Sequence, residues 1–175
     1  MSAAEAAPGV REFRSATPGD TERIAAAFAR AFTPDAGRAL RVALRGELGA
    51  GKTTFVRGLL REFGVAGAIR SPTYSLVERY STALVEVLHA DLYRLGSAEE
   101  FDALAFDDAD RGGALWLVEW PDRAGTALPA PDLQLEFQAG PIEHRLRAQA
   151  ASAPAQAWLQ RLPSQAELEV APPAP

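Results

Sequence analysis

Lys52 is the only lysine in a chain of 175 residues, and the other seventeen basic side chains are all arginine. It lies in Gly46-Glu47-Leu48-Gly49-Ala50-Gly51-Lys52-Thr53, which meets the G-x-x-x-x-G-K-[ST] phosphate-binding pattern at every fixed position. Glycines in such a loop let the backbone take positive φ and turn successive N–H groups onto phosphate oxygens. A helix beginning where the loop ends adds the positive end of its dipole. Lys52 would bring a flexible point charge to the β and γ phosphates, and the Thr53 hydroxyl is placed to ligate Mg²⁺. An arginine fork is a poor substitute for that lysine. A glycine-rich turn without a ligand would leave the solitary lysine unexplained. Gly46, Gly49, Ala50, Gly51, Lys52, Thr53 and Thr54 are therefore the candidate cradle for a nucleoside triphosphate, with Mg²⁺ as its counter-ion.

A nucleotide hydrolase also needs a carboxylate near the cation, held at the end of a rigid apolar strand. Ala114-Leu115-Trp116-Leu117-Val118-Glu119 is such a run, which makes Glu119 the leading magnesium ligand, direct or indirect. The plainer reading is an acid emerging into solvent at a strand end. Asp91, in His89-Ala90-Asp91-Leu92-Tyr93-Arg94, is the second candidate, with a turn or helix-cap aspartate as the competing account. Ser71-Pro72-Thr73-Tyr74 follows the phosphate-loop helix, where a loop sensing the γ-phosphate would sit, so Ser71 and Thr73 join the candidates. A proline-anchored turn capping a strand would look the same. Trp120 follows Glu119 and alternates with it in direction, which suits either a binding surface or core packing. His89 and His144 have no partner at zinc-ligand spacing and read as structural. No Ser/His/Asp or Cys/His hydrolase constellation emerges.

The elements that must carry these groups are legible around them. Leu40, Val42 and Leu44 alternate as in a strand, and Phe55, Val56, Leu59, Leu60 and Phe63 follow the loop at helical spacing, with Gly64 as C-cap. Upstream, Thr17-Pro18-Gly19-Asp20 opens a helix whose apolar face is Ile24, Ala27, Phe28, Ala31 and Phe32. Downstream, 74–80 and 83–88 read as an antiparallel pair joined near Ser81 and Thr82. Ser97 and Glu100 form a capping box for a short helix, and 114–119 is a strand buried on both faces. A closing hairpin spans 133–137 and 144–148, and a last helix surrounds Trp158. Strands and helices interleaved around a phosphate loop predict an α/β, P-loop NTPase-like three-layer fold: a central mixed β-sheet flanked by helices, with the ligand at the carboxyl ends of the strands. The reading is one domain over 11–162, between mobile tails at 1–10 and 163–175.

Composition narrows the partners. The net charge of −5 argues against a broad nucleic-acid surface, so any RNA would be held mainly by another protein. There is no cysteine, no signal peptide and no run approaching the ~20 apolar residues of a membrane span, which points to the cytoplasm. A guanine reader needs an Asn/Thr-Lys-x-Asp element, yet the chain has no asparagine and its one lysine is committed, so ATP is favoured.

The motifs together resemble a known family. Gly46 to Phe55, Ser71-Pro72-Thr73-Tyr74-Ser75-Leu76-Val77-Glu78, His89 to Leu95 and Leu117-Val118-Glu119-Trp120-Pro121 match, in order and spacing, the TsaE family, also called YjeE. The resemblance spans roughly 15–150. It departs at Ala90, where a bulkier residue is usual, and in the proline-rich C-terminus. It implies the small ATPase of bacterial tRNA threonylcarbamoyladenosine synthesis, with Thr53 and Glu119 on Mg²⁺, Asp91 assisting hydrolysis and Ser71 to Tyr74 as a switch-like loop. It also implies docking on a TsaD and TsaB complex, in which TsaD transfers the threonylcarbamoyl group to the adenosine beside the anticodon. tRNA would then be met through the complex. Two other functions fit the phosphate loop. One is a small-molecule kinase, with Arg111-Gly112-Gly113 as its only lid-like segment; the other is a nucleotide-gated docking module whose hydrolysis merely resets it.

Overall fold

The computed structural model describes residues 9–104, 106 and 112–170. Seven strands form one sheet: β1 (Val10–Ser15), β2 (Leu40–Gly46), β3 (Val77–Ser81), β4 (Glu86–Asp91), β5 (Leu115–Glu119), β6 (Leu133–Gln138) and β7 (His144–Ala150). Their order is β1-β7-β6-β2-β5-β4-β3. The four central strands β6, β2, β5 and β4 run parallel, and the outer pairs β1–β7, β7–β6 and β3–β4 are antiparallel. Among the described residues the α-helices are α1 (Pro18–Ala31), α2 (Lys52–Glu62), α3 (Ala98–Asp102), α4 (Ala153–Gln160) and α5 (Gln165–Val170), with a short 3-10 turn at Pro121–Ala124. The mixed sheet with flanking helices is the fold expected from the sequence.

Local chemistry sets the helix ends. The Thr17 hydroxyl accepts from the Asp20 N–H at 3.2 Å, and the Asp20 carboxylate accepts from the Thr17 N–H at 2.8 Å, a reciprocal capping box that starts α1. At the end of α2, Gly64 at φ +89° sends its N–H to Arg61 O and the Val65 N–H returns to Leu60 O, which closes a Schellman motif. The expected capping box of α3 forms only by half. Ser97 accepts from the Glu100 N–H, but the Glu100 carboxylate takes the Gly96 N–H instead.

Helices α1, α2 and α4 cover one sheet face. Phe28 is its hub, meeting Phe13, Phe55 and Trp158 edge to face at centroid distances of 5.7, 5.2 and 5.8 Å. Each such pair adds about 0.5–1.5 kcal/mol beyond area burial. The Trp158 indole N–H donates to Phe28 O at 2.8 Å, so the last large aromatic is buried with its polar atom satisfied. Gly58 lets the two long helices touch, because a Cβ there would lie 2.7 Å from Glu22 Cα. The opposite face carries a smaller core of Leu88, Ala90, Leu92, Phe101, Phe106, Trp116 and Val118 under α3 and its flanking loops.

Several boundaries differ from the expectations. Strand β3 begins at Val77 and not at residue 74, because the chain turns at Leu76, whose φ is +61°. Strand β4 runs on to Asp91, since its lower half is buried beside β5 and alternation is hidden there. The tail expected from 163 is structured as far as 170. Ser164 and Glu167 form a capping box for α5, Leu168 is 6% exposed within the main core, and the Gln165 side chain pairs with both backbone polar groups of Arg14. The Arg11 guanidinium also donates to the carbonyls of Leu159, Leu162 and Pro163. The N-terminal tail expected at 1–10 overlaps β1 at Val10; residues 1–8 and 171–175 lie outside the described residues.

Candidate phosphate-binding site

The loop between β2 and α2 is closed by a backbone approach that admits only glycine. Gly46 has φ +142°, and a Cβ on it would lie 2.4 Å from the Phe137 carbonyl oxygen of β6. Gly49 and Gly51 are also at positive φ, and Ala50 is buried between them. Thr53 and Thr54 open α2 just behind the loop. His144 on β7 supports the loop from outside, its Nδ1 lying 3.2 Å from Ala50 O.

Lys52 is 4% exposed and its Nζ donates to Gly46 O at 2.7 Å and Glu47 O at 2.8 Å. Burial pushes its ammonium below the ordinary lysine value, while the Glu119 and Asp91 carboxylates act in the opposite sense. The carboxylates come from neighbouring parallel strands, where Asp91 on β4 is the register partner of Glu119 on β5. Both acids are buried. Thr53 Oγ1 donates to the Glu119 carboxylate, with both oxygens at 3.0 Å. Ser71 donates to Asp91 Oδ2, Thr73 lies 2.8 Å from Ser71 Oγ, and Asp91 Oδ1 takes the Tyr93 N–H at 3.0 Å. The hydroxyl loop is thus tied to the second acid. Tyr74 is not drawn in: it is 88% exposed, with the Arg94 guanidinium 4.7 Å from its ring centroid.

Trp120 departs from simple alternation. Its backbone is left-handed at φ 57°, ψ 49°, an uncommon conformation for an aromatic residue, and the turn brings its ring to 4.1 Å from Lys52 Nζ. Tyr93 packs against the same ring at 5.0 Å. The ring also packs on the smaller core, in keeping with the packing reading of Trp120.

His89, read from the sequence as structural, is set by the fold against Glu119. It is fully buried, and its Nε2 lies 2.9 Å from Glu119 Oε1. The available signal was the period of two on β4, which places His89 and Asp91 on one face. Arg111, the lid candidate of the kinase reading, lies outside the described residues.

A mixed sheet whose central strands are parallel, with a phosphate-type loop running from β2 into α2, defines the P-loop NTPase-like class. The family model described as "Threonylcarbamoyl adenosine biosynthesis protein TsaE" matches residues 15–147. The chain belongs to that family, which takes part in tRNA threonylcarbamoyladenosine biosynthesis. Three proteins called "tRNA threonylcarbamoyladenosine biosynthesis protein TsaE" illustrate the range. That of Haemophilus influenzae is 42% identical over 55% of this chain and 61% of its own length. The Rickettsia bellii protein is 37% identical over 68% and 80%, and the Bacillus subtilis protein 34% identical over 71% and 75%. The crystal structure of YdiB from Bacillus subtilis superposes with a TM-score of 0.67 at 25% identity, covering 91% of this chain and 94% of that one.

Proposed function

We propose that the chain is a Mg²⁺-dependent ATPase that supports threonylcarbamoyl modification of the adenosine next to the anticodon in tRNA. In this reading it works in the cytoplasm with a TsaD and TsaB transferase complex, helps that complex turn over, and does not transfer the group itself. Family membership supports the pathway. The observation that carries the hydrolase reading is the Thr53 hydroxyl held 3.0 Å from both oxygens of a buried Glu119 at the mouth of the phosphate loop.

The donor set suits Mg²⁺, a hard cation that takes oxygen ligands and is usually shared between one or two carboxylates and substrate phosphates. Thr53 and Glu119 would hold it, with Asp91 beside them. Bound there, Mg²⁺ would neutralise charge developing on the phosphates.

The chain's own groups do the rest. Loop N–H groups and Lys52 bind the β and γ phosphates, and Ser71 with Thr73 fixes the orientation of Asp91. Asp91 then accepts a hydrogen bond from the attacking water and takes its proton as the water oxygen bonds to the γ-phosphorus and the bond to ADP breaks. Hydrolysis should be slow for the isolated chain and faster on the complex. The test follows ATP turnover and repeated rounds of tRNA modification with both partners and threonylcarbamoyl-adenylate, using the parent chain and Lys52→Ala. Equal multiple turnover with the variant would uncouple ATP from modification and overturn the proposal.

A further inference from the structure

His89 has no task in the steps above, yet it is the most enclosed polar side chain near them. Its ring is fully buried on β4, two residues before Asp91, and faces Glu119 across the parallel β4–β5 pair. Nε2 lies 2.9 Å from Glu119 Oε1, while Nδ1 has no hydrogen-bond partner among the described residues. A carboxylate only accepts hydrogen bonds, so Nε2 must carry the hydrogen. The same carboxylate also takes the Thr53 hydroxyl. Glu119 is therefore pinned from two sides by donors on different elements, one from α2 and one from β4.

We propose that His89 is a positioning residue that holds Glu119 in the rotamer presenting its free lone pairs to the Mg²⁺ of the nucleotide. The proposal rests on the nucleotide reading of the site. Groups that orient a metal-ligating carboxylate typically change metal affinity by about 10- to 100-fold when removed. The geometry separates a positioning role from mere space-filling, because only a donor at the Nε2 position meets Glu119.

Two near-isosteres make the test. In His89→Gln the side-chain amide nitrogen reaches the Nε2 position; in His89→Asn it reaches only the Nδ1 position and leaves Glu119 without this donor. Binding of a fluorescent ADP analogue is measured without metal and across a Mg²⁺ titration, alongside kcat and KM for ATP and the melting temperature. Expected is a roughly tenfold or greater rise in the half-saturating Mg²⁺ concentration for Asn and less than about threefold for Gln, with metal-free affinity within about twofold in both. In a Glu119→Gln background the Asn change should add nothing further. Equal behaviour of Asn and Gln, or equal loss of metal-free binding, would overturn the positioning role. If the parent binds no nucleotide at all, it is the nucleotide reading that fails. Should His89→Asn not fold, nitrogen NMR of the parent imidazole decides: hydrogen on Nε2 supports the proposal, and hydrogen on Nδ1 alone overturns it.

Discussion

The Lys52 ammonium lies 4.1 Å from the centroid of the Trp120 ring while donating to the carbonyls of Gly46 and Glu47. A cation–π contact of this kind is worth about 0.5–2 kcal/mol, comparable to one hydrogen bond. In the proposed reading, a phosphate oxygen would have to win the lysine from these partners. Lys52→Ala should fold and lose about 10²- to 10³-fold in ATP hydrolysis, and arginine at the same position should not restore it. Hydrolysis within threefold of the parent would refute the phosphate-loop role.

Triphosphate binding should also alter the surroundings of the Trp120 indole. Trp116 and Trp158 are each 1% exposed and lie in the two cores, whereas Trp120 is the tryptophan in contact with Lys52. Trp120→Phe is therefore expected to remove most of the nucleotide-induced change in tryptophan fluorescence. A change that survives the substitution would mean that Trp120 does not report on Lys52.

Glu119→Gln keeps the shape of the side chain and removes its charge. Turnover should need more Mg²⁺ while metal-free nucleotide binding stays close to that of the parent. A Mg²⁺ titration of steady-state hydrolysis decides. An unchanged dependence would shift the main acid to Asp91.

Asp132 offers a pH test far from the phosphate loop. Burial acts to raise its carboxyl, but hydrogen bonds from Arg38, the Arg41 N–H and Ser152, with the Arg38 charge, hold it below the ordinary aspartate value. The folded state thus binds fewer protons than the unfolded chain in acid. The stability this provides is complete above about pH 4 and is lost as pH falls through the folded value. Asp132→Asn should cost about 1–3 kcal/mol at pH 7, and its deficit should shrink towards pH 3. Urea melts at both pH values measure this; a deficit that grows on acidification contradicts it.

Leu168→Ala tests the C-terminal segment. Leu168 is 6% exposed in the main core, so its truncation should cost about 2–5 kcal/mol. A freely moving tail would show no change in the urea midpoint.

Strong local signals carried most of the fold. The capping threonine at Thr17, the loop into α2 and the continuous apolar run at 114–119 are such signals, and their elements appear where expected. Two classes of feature were less legible. The helix α5 spans 6 residues, too few to show a period, although Ser164 and Glu167 carry its capping signal. Contacts between strands are invisible along the chain. Glu119 and Asp91 could be nominated singly, but their pairing, the His89 contact and the turn of Trp120 onto Lys52 depend on which strands become neighbours.

The strand that delivers Gly46 has both of its neighbours late in the chain: Leu40 pairs with Leu115, and Val42 with Leu133. During synthesis β2 emerges long before either edge of it can be closed. No nascent chain that stops short of Phe137 can complete the backbone approach at Gly46, so a nucleotide bound as proposed could not template an earlier intermediate. The chain must have left the ribosome through Phe137 before the site exists, which leaves an apolar strand waiting unpaired during that interval.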